Sequence, residues 1–204
     1  IQNFPGIARA PFASAILLVR GSSPEDSKAF VDGQEIPQLY HFGGITSVIA
    51  TEAIKSIDFL PGGFGVRFGG ATGGVVEVES RKGKKEKWET VLDADLYDAS
   101  VVTEGPLGKD SRHGSILVAA RRSYVDAVLA EAIPDDVLNF TVAPRYYDYQ
   151  LRYAAPTTQQ GLESNIFAYG ADDSLTFVFS EPVGNGAELR GRFRSPCAAA
   201  CRHE

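Results

Sequence analysis

The segment 61-PGGFGVRFGGATGG-74 holds seven glycines in fourteen residues, Gly62, Gly63, Gly65, Gly69, Gly70, Gly73 and Gly74. Glycine-rich backbone can close its N–H groups around an anion such as phosphate. A phosphate loop, however, needs Gly-Lys-Ser/Thr entering a helix, and a dinucleotide fingerprint likewise needs a helix after its last glycine. Here Gly73 and Gly74 run into 75-VVEVES-80, where Val75, Glu77 and Glu79 alternate with Val76, Val78 and Ser80, the pattern of a strand. With lysine and helix both missing, the steric reading stands: glycine adopts positive φ and lets another backbone or a wall pass closely.

Other residues with chemical potential are few. Hydrolysis would need a nucleophile activated by histidine. His41, His113 and His203 accompany no nucleophile elbow, so an enzyme is not expected. Cys197, Cys201 and His203 form a C-x3-C-x-H cluster, which lacks a fourth zinc ligand and lies in an alanine-rich terminus where order is not expected. No metal and no cofactor are therefore expected. Tyr40, His41 and Phe42 form an aromatic loop cluster in 38-QLYHFGG-44. Packing is its plain reading, and contact with a ligand its sharper one.

The formal net charge of −6 disfavours nucleic acid, whose phosphates call for a basic surface. The dense basic run 81-RKGKKEK-87 is interrupted by glycine and glutamate and reads as a solvated linker. The chain begins at Ile1 and contains no methionine, which reads as a mature piece or a fragment.

The elements that must position these residues divide in two. Residues 1–81 read as a mixed α/β unit: a strand at 16-ILLVR-20 closed by Gly21, a strand at 29-AFVDG-33 turned by Asp32-Gly33, and a helix over 51-TEAIKSIDFL-60. Thr51 suits that helix's N-cap, Glu52 its first turn, and Ala53, Ile54 and Ile57 share a face. Beyond the linker at 82–87 the pattern becomes strand after strand. In 88-WETVLDADLY-97, Trp88, Thr90, Leu92, Ala94 and Leu96 oppose Glu89, Val91, Asp93, Asp95 and Tyr97. In 115-SILVAARRSY-124, Ile116, Val118 and Ala120 oppose Ser115, Arg121 and Ser123, and in 145-RYYDYQLRYA-154, Tyr147, Tyr149, Leu151 and Tyr153 oppose Asp148, Gln150 and Arg152. Further strands are expected at 162–170, before a polar break at Asp172 and Asp173, and at 186–193, with an atypical tail at 195–204. Long amphipathic strands, alternating long and short connections and recurrent tyrosines fit an outer-membrane barrel, and dry-and-wet alternation fits a soluble β domain as well.

The order of five short motifs adds a family resemblance. Val19-Arg20-Gly21, Val31-Asp32-Gly33, Ile57-Asp58 with Gly62-Gly63, Phe68-Gly69, and Gly73-Gly74 before Val75-Val76 resemble the plug domain of TonB-dependent outer-membrane receptors. The stretch from Trp88, with 104-EGPLG-108, 121-RRSYVDA-127 and 144-PRYYDYQ-150, resembles the start of that family's barrel. The implied fold class is α+β: a mixed α/β plug over 1–81, a basic linker over 82–87, and over 88–194 the first antiparallel strands of a barrel left incomplete. The family closes about twenty-two strands around its plug, which makes this chain a fragment in that reading.

The resemblance also implies a place in the outer membrane, lipid around the barrel, the energy-coupling protein TonB as partner through a segment absent here, and a transported ligand. Iron chelate, cobalamin, oligosaccharide and secreted protein all remain open. It casts Arg20, Gly21, Asp32, Gly33, Gly62, Gly63, Arg67, Gly69, Gly73 and Gly74 as plug residues that shape or gate. It further makes Glu89, Asp93 and Asp95 barrel carboxylates within reach of Arg20 and Arg67. The alternative is a soluble α/β-plus-β module that binds a sugar or anion through its glycine-rich loops.

Overall fold

A computed structural model of the chain describes residues 6–9, 17–41, 46–108, 113–124, 140–156, 163–179 and 190–203. Three sheets make up the described fold. The smallest pairs β1 (Ile7–Arg9) with β2 (Leu17–Val19). The second has the order β4-β3-β6-β5, from β3 (Ser27–Val31), β4 (Gln34–Ile36), β5 (Ile54–Leu60) and β6 (Gly74–Ser80). The third is a wall of six antiparallel strands in sequence order: β7 (Glu89–Ala94), β8 (Asp98–Pro106), β9 (Ser115–Ser123), β10 (Phe140–Pro156), β11 (Glu163–Phe179) and β12 (Arg190–His203).

The β3–β4 hairpin forms for a local reason. Asp32 and Gly33, at φ 48° and 79°, both take the left-handed conformation that a two-residue primed turn requires. The parallel pairing of β3 with β6 then seats Val31 beside Val78 in a core that includes Ile36, Val48, Ile49 and Val76. Phe167, Tyr169 and Ala171 of β11 belong to the same core, so the first half of the chain packs directly onto the wall.

The helix expected over 51–60 is instead one 3-10 turn, Thr51–Ala53, followed by β5 paired antiparallel with β6. Thr51 makes no cap: the N-cap position is Ala50, with no side-chain bond. The helical spacing of Ile54 and Ile57 has another origin. The register shifts between Ile54 and Ser56, and such a bulge turns a three-residue spacing into one face of a strand. Ile54, Ile57 and Phe59 consequently pack on the same core. Among the described residues the only helical turns are this one and Pro24–Asp26, so the fold is mostly strand, against the expected α+β balance.

The wall differs from expectation in three places. The strand expected over 88–97 ends at Ala94, because the Asp95 carboxylate accepts the backbone N–H groups of Tyr97 and Asp98 and closes a turn into β8, a strand the sequence reading had not separated. β11 runs through Asp172 and Asp173 without the expected break. The segment 195–204, read as an atypical tail, continues β12 as far as His203, paired residue for residue with β11. Backbone pairing needs only N–H and C=O groups, so a change of side-chain pattern does not stop it.

The wall's two faces are chemically distinct. Glu104, Leu117, Arg121, Asp148, Gln150, Arg152, Phe167 and Asp173 point toward the first half of the chain and are largely buried. Leu92, Val118, Tyr149 and Leu151 stand exposed on the other side. Glycines on the wall are capped by aromatic rings: Trp88 lies over Gly105 and Tyr149 over Gly170.

Candidate functional site: a charged interface between plug and wall

The residues that the structure brings together lie along the contact between the two halves, in three groups. The first gathers around the loop that follows β4. The His41 amide donates to the Thr46 carbonyl at 3.0 Å, and a bridge between Tyr40 and Ser47 closes the loop. His41 is 0 % exposed. Its Nδ1 lies 2.5 Å from the Asp173 carboxylate of β11, and its Nε2 lies 3.0 Å from that of Asp148 on β10. The ring also stacks on Tyr146, centroids 4.4 Å apart. Arg121 of β9 donates through Nε to Asp148 at 2.8 Å, through one terminal nitrogen to the Thr46 hydroxyl at 2.6 Å, and through the other to the Ser47 carbonyl. Gln150 completes the group: its amide oxygen accepts from the Ala50 N–H and its nitrogen donates to the Val48 carbonyl, each at 3.0 Å. A chain of this kind satisfies both halves, which matters because a buried polar group left unpaired is expensive.

The second group is built on the β3–β4 turn. One Asp32 oxygen accepts the Ser80 N–H at 2.9 Å, while the other accepts the Ser80 hydroxyl at 2.5 Å and the Arg152 guanidinium of β10 at 3.2 Å. Asp32 thus ties its own hairpin to β6 and to the wall at once.

The third group is the segment 81–87. Arg81 grips Glu104 of β8 with both terminal nitrogens, and the Lys84 N–H adds a third bond to that carboxylate at 3.1 Å. Lys84 also lies 2.8 Å from Glu89, which holds the lysine's pKa above its ordinary value through that hydrogen bond. Lys82 and Lys85 flank Glu163 of β11. Gly83 is buried, and a Cβ there would run into the Ile116 backbone of β9. The segment expected to be a solvated linker therefore lies pinned across the wall.

The sequence-predicted residues sit differently from their expected pairings. Arg20 is exposed, with its side chain alongside Gly6 and Gly62, and Arg67 pairs with Glu77 at 2.6 Å while lying over Phe68. Neither meets Glu89, Asp93 or Asp95. Glu89 is taken by Lys84 and Lys87. Asp95 closes its turn, and the Asp98 and Tyr97 amides hold its pKa below the ordinary carboxylate value. Asp93 and Asp95 line, with Thr46, Thr51, Glu52, Tyr97, Asp98, Ser100 and Arg121, a cavity of about 290 Å³ between the loop and the wall.

The glycine tract does not press on the wall among the described residues. Gly62, Gly63 and Gly69 are exposed, while Gly73 and Gly74 pack within the plug on Ser22, Ser27 and Val19. Gly21 and Gly33 serve turns at positive φ. Of the aromatic loop, Tyr40 and His41 join the first group and Phe42 lies outside the described residues. Sequence reasoning missed Arg81, Glu104, Arg121, Asp148, Arg152 and Asp173 as members of the site. The signal was available at Asp148, Gln150 and Arg152, a polar face running down a long strand whose other face carries tyrosines.

Comparison with known proteins agrees with this division. Residues 1–75 match the family model described as the TonB-dependent receptor plug domain. Among solved structures, the siderophore receptor PirA from Acinetobacter baumannii superposes with a TM-score of 0.53 at 20% identity, over 88% of this chain and 29% of that one. The siderophore receptor PirA from Pseudomonas aeruginosa gives 0.49 at 15% identity, over 100% of this chain and 38% of that one. The chain thus spans well under half the length of either structure. No curated protein matches it. Residues 1–75 are thus similar to a TonB-dependent receptor plug domain, and a sheet of six antiparallel strands follows them.

Proposed function

We propose that the chain is the plug and opening wall strands of a TonB-dependent outer-membrane receptor, which gates energised passage of an iron chelate. In this reading residues 1–81 are the stopper, 82–87 the tether and the strands from Glu89 the first staves, with β12 carrying the wall on to His203. The observation that carries it is the two-faced wall. Its inner face holds the plug through buried Arg121, Asp148, Gln150 and Asp173, while its outer face presents Leu92, Tyr149 and Leu151. An exposed apolar face of this kind suits lipid, and strands of nine residues or more reach across an outer membrane. The iron chelate is favoured because the Acinetobacter baumannii structure that shares this fold is a siderophore receptor. TonB would act through a segment outside this chain.

Passage requires a plug with two arrangements, seated at rest and displaced when pulled. The test is uptake of radiolabelled ferric siderophores by iron-starved cells lacking the gene. Expected are loss of uptake of at least one siderophore, restoration by the intact gene, and no uptake without TonB. Uptake unchanged by the deletion, or independent of TonB, overturns the iron reading. Recovery of the protein in the soluble fraction rather than the outer membrane would instead favour a soluble binding module.

A further inference from the structure

His41 stands between two acceptors. A carboxylate accepts hydrogen bonds and donates none, whereas a neutral imidazole has one N–H and one lone pair. With Asp173 against Nδ1 and Asp148 against Nε2, only the doubly protonated ring satisfies both contacts. The charges in direct contact at the ring match in number in that state. Asp148 and Asp173 supply two negative charges, and Arg121, 2.7 Å from Asp148, and the His41 imidazolium supply two positive ones. Further titratable groups face the cluster: Tyr146 of β10, stacked on the ring, Asp98 of β8, which accepts the Tyr146 hydroxyl at 2.6 Å, and Glu52, Asp93, Asp95 and Tyr97, which line the adjoining cavity with Arg121. From the loop's own side, among the described residues, come uncharged groups, the Gln38 amide, which donates to Asp173 at 2.8 Å, and the Thr46 hydroxyl.

We propose that His41 is a proton-dependent fastener: its imidazolium clasps β10 and β11 to residues 38–41 and 46–50, and loss of its proton frees those residues from the wall. The proposal rests on the plug-in-wall reading and adds a chemical trigger to it. Pulling the plug away would strip the ring of both carboxylates and return it to water, where an imidazole of ordinary pKa sheds its proton near neutrality. Re-seating would then need a proton back. Displacement and protonation are in this way coupled at one residue.

The energetics agree in sign. Burial is the largest single influence on the ring and opposes its charge, but the hydrogen bonds to Asp148 and Asp173 and the charges of both outweigh it, so the pKa is raised above 6.5. A raised folded-state pKa gives a contribution that is fully present below 6.5 and is lost as pH rises through the folded value. The seat is accordingly tightest in acid and loosens toward alkaline pH.

The test is amide hydrogen exchange on the full-length protein in outer-membrane vesicles, between about pH 6 and about pH 9, corrected for the intrinsic rate. The reporters are Val48, whose N–H is bonded to Leu39, and Ala50, bonded to Gln150. Wild-type protection there should fall about tenfold or more across the range. His41→Gln should show low protection that no longer varies with pH, and Asp173→Asn should move the transition to lower pH. Wild-type protection that stays flat, or a fall that survives unchanged in His41→Gln, overturns the proposal. If His41→Gln fails to reach the membrane, the wild-type profile and Asp173→Asn decide alone. Exchange reads the seating of the loop and uptake reads transport, so failure of either can be told from failure of the other.

Discussion

Two of the three contacts that join the first half of the chain to the wall use similar charges in opposite surroundings. At the loop, Arg121, His41, Asp148 and Asp173 are sealed from water, with side-chain exposures of 9 % for Arg121 and at most 1 % for the other three. Along 81–87, Lys82, Lys84, Lys85 and Lys87 lie between 39 % and 76 % exposed while facing Glu89 and Glu163. A charge removed from water depends wholly on its partners, whereas an exposed pair exchanges one solvated state for another. The difference predicts a division of labour: the loop decides whether the plug is seated, and the tether decides where it stays when it is not.

The sharpest way to break that comparison is to leave one buried charge alone. Arg121→Leu removes the bonds to Asp148, Thr46 and Ser47 together and strands a carboxylate that His41 must then share with Asp173. The expected loss is about 3–5 kcal/mol of plug seating, read as exchange at 46–50 or as a fall in denaturant midpoint. Arg121→Lys keeps the charge but not the fork, and should recover only part of it. A loss below about 1 kcal/mol for Arg121→Leu would place the loop in the same class as the tether.

A smaller effect is expected where the tether is held by shape. Gly83 lies against the Ile116 backbone of β9, and a methyl group there meets a strand that is paired on both sides and cannot yield. Gly83→Ala should lift 81–87 from the wall at a cost of about 1–3 kcal/mol. Arg81 should lose its grip on Glu104 in the same variant, which exchange at the Lys84 N–H would report. Unaltered protection at Lys84 would show that the charges alone hold the tether.

What the sequence made legible follows the same line between backbone pattern and three-dimensional partner. The alternation in β9 and β10 named both faces of the wall correctly, because a strand's period of two needs no knowledge of its neighbours. The Asp32-Gly33 turn was equally local. Pairing of charges was not. Arg67 pairs with Glu77 across a short loop, whereas the sequence reading looks for the partners of Arg20 and Arg67 in Glu89, Asp93 or Asp95, and Arg81, unassigned in sequence, reaches Glu104. Asp173 shows the cost of reading polarity as a break: it looked like the end of a strand because its partner, His41, lies 132 residues away. The bulge at Ile54 misled in the other direction, since one extra residue in a strand imitates a helical repeat. The glycines divide this way too. Those that turn the chain were foreseeable, while the tight approach of Gly83 depends on a strand more than thirty residues later.

The smallest effect belongs to the lysines, and it gives the comparison its control. Lys82 and Lys85 both point at Glu163, and these exposed pairs attract only so far as water and salt permit. Removing both, as Lys82→Ala with Lys85→Ala, should change plug seating by no more than about 0.5 kcal/mol. Salt should reproduce the substitution: raising ionic strength shortens the reach of exposed charges to about 3 Å at 1 M and should weaken the wild-type tether until it matches the double variant. The loop should keep its protection at 46–50 under the same salt, because His41, Asp148 and Asp173 are at most 1 % exposed. If salt loosened the loop as much as the tether, burial would not be what separates the two fastenings, and the seating of the plug would have to be assigned to the apolar contacts of Val48 and Ile49 with Phe167 and Tyr169 instead.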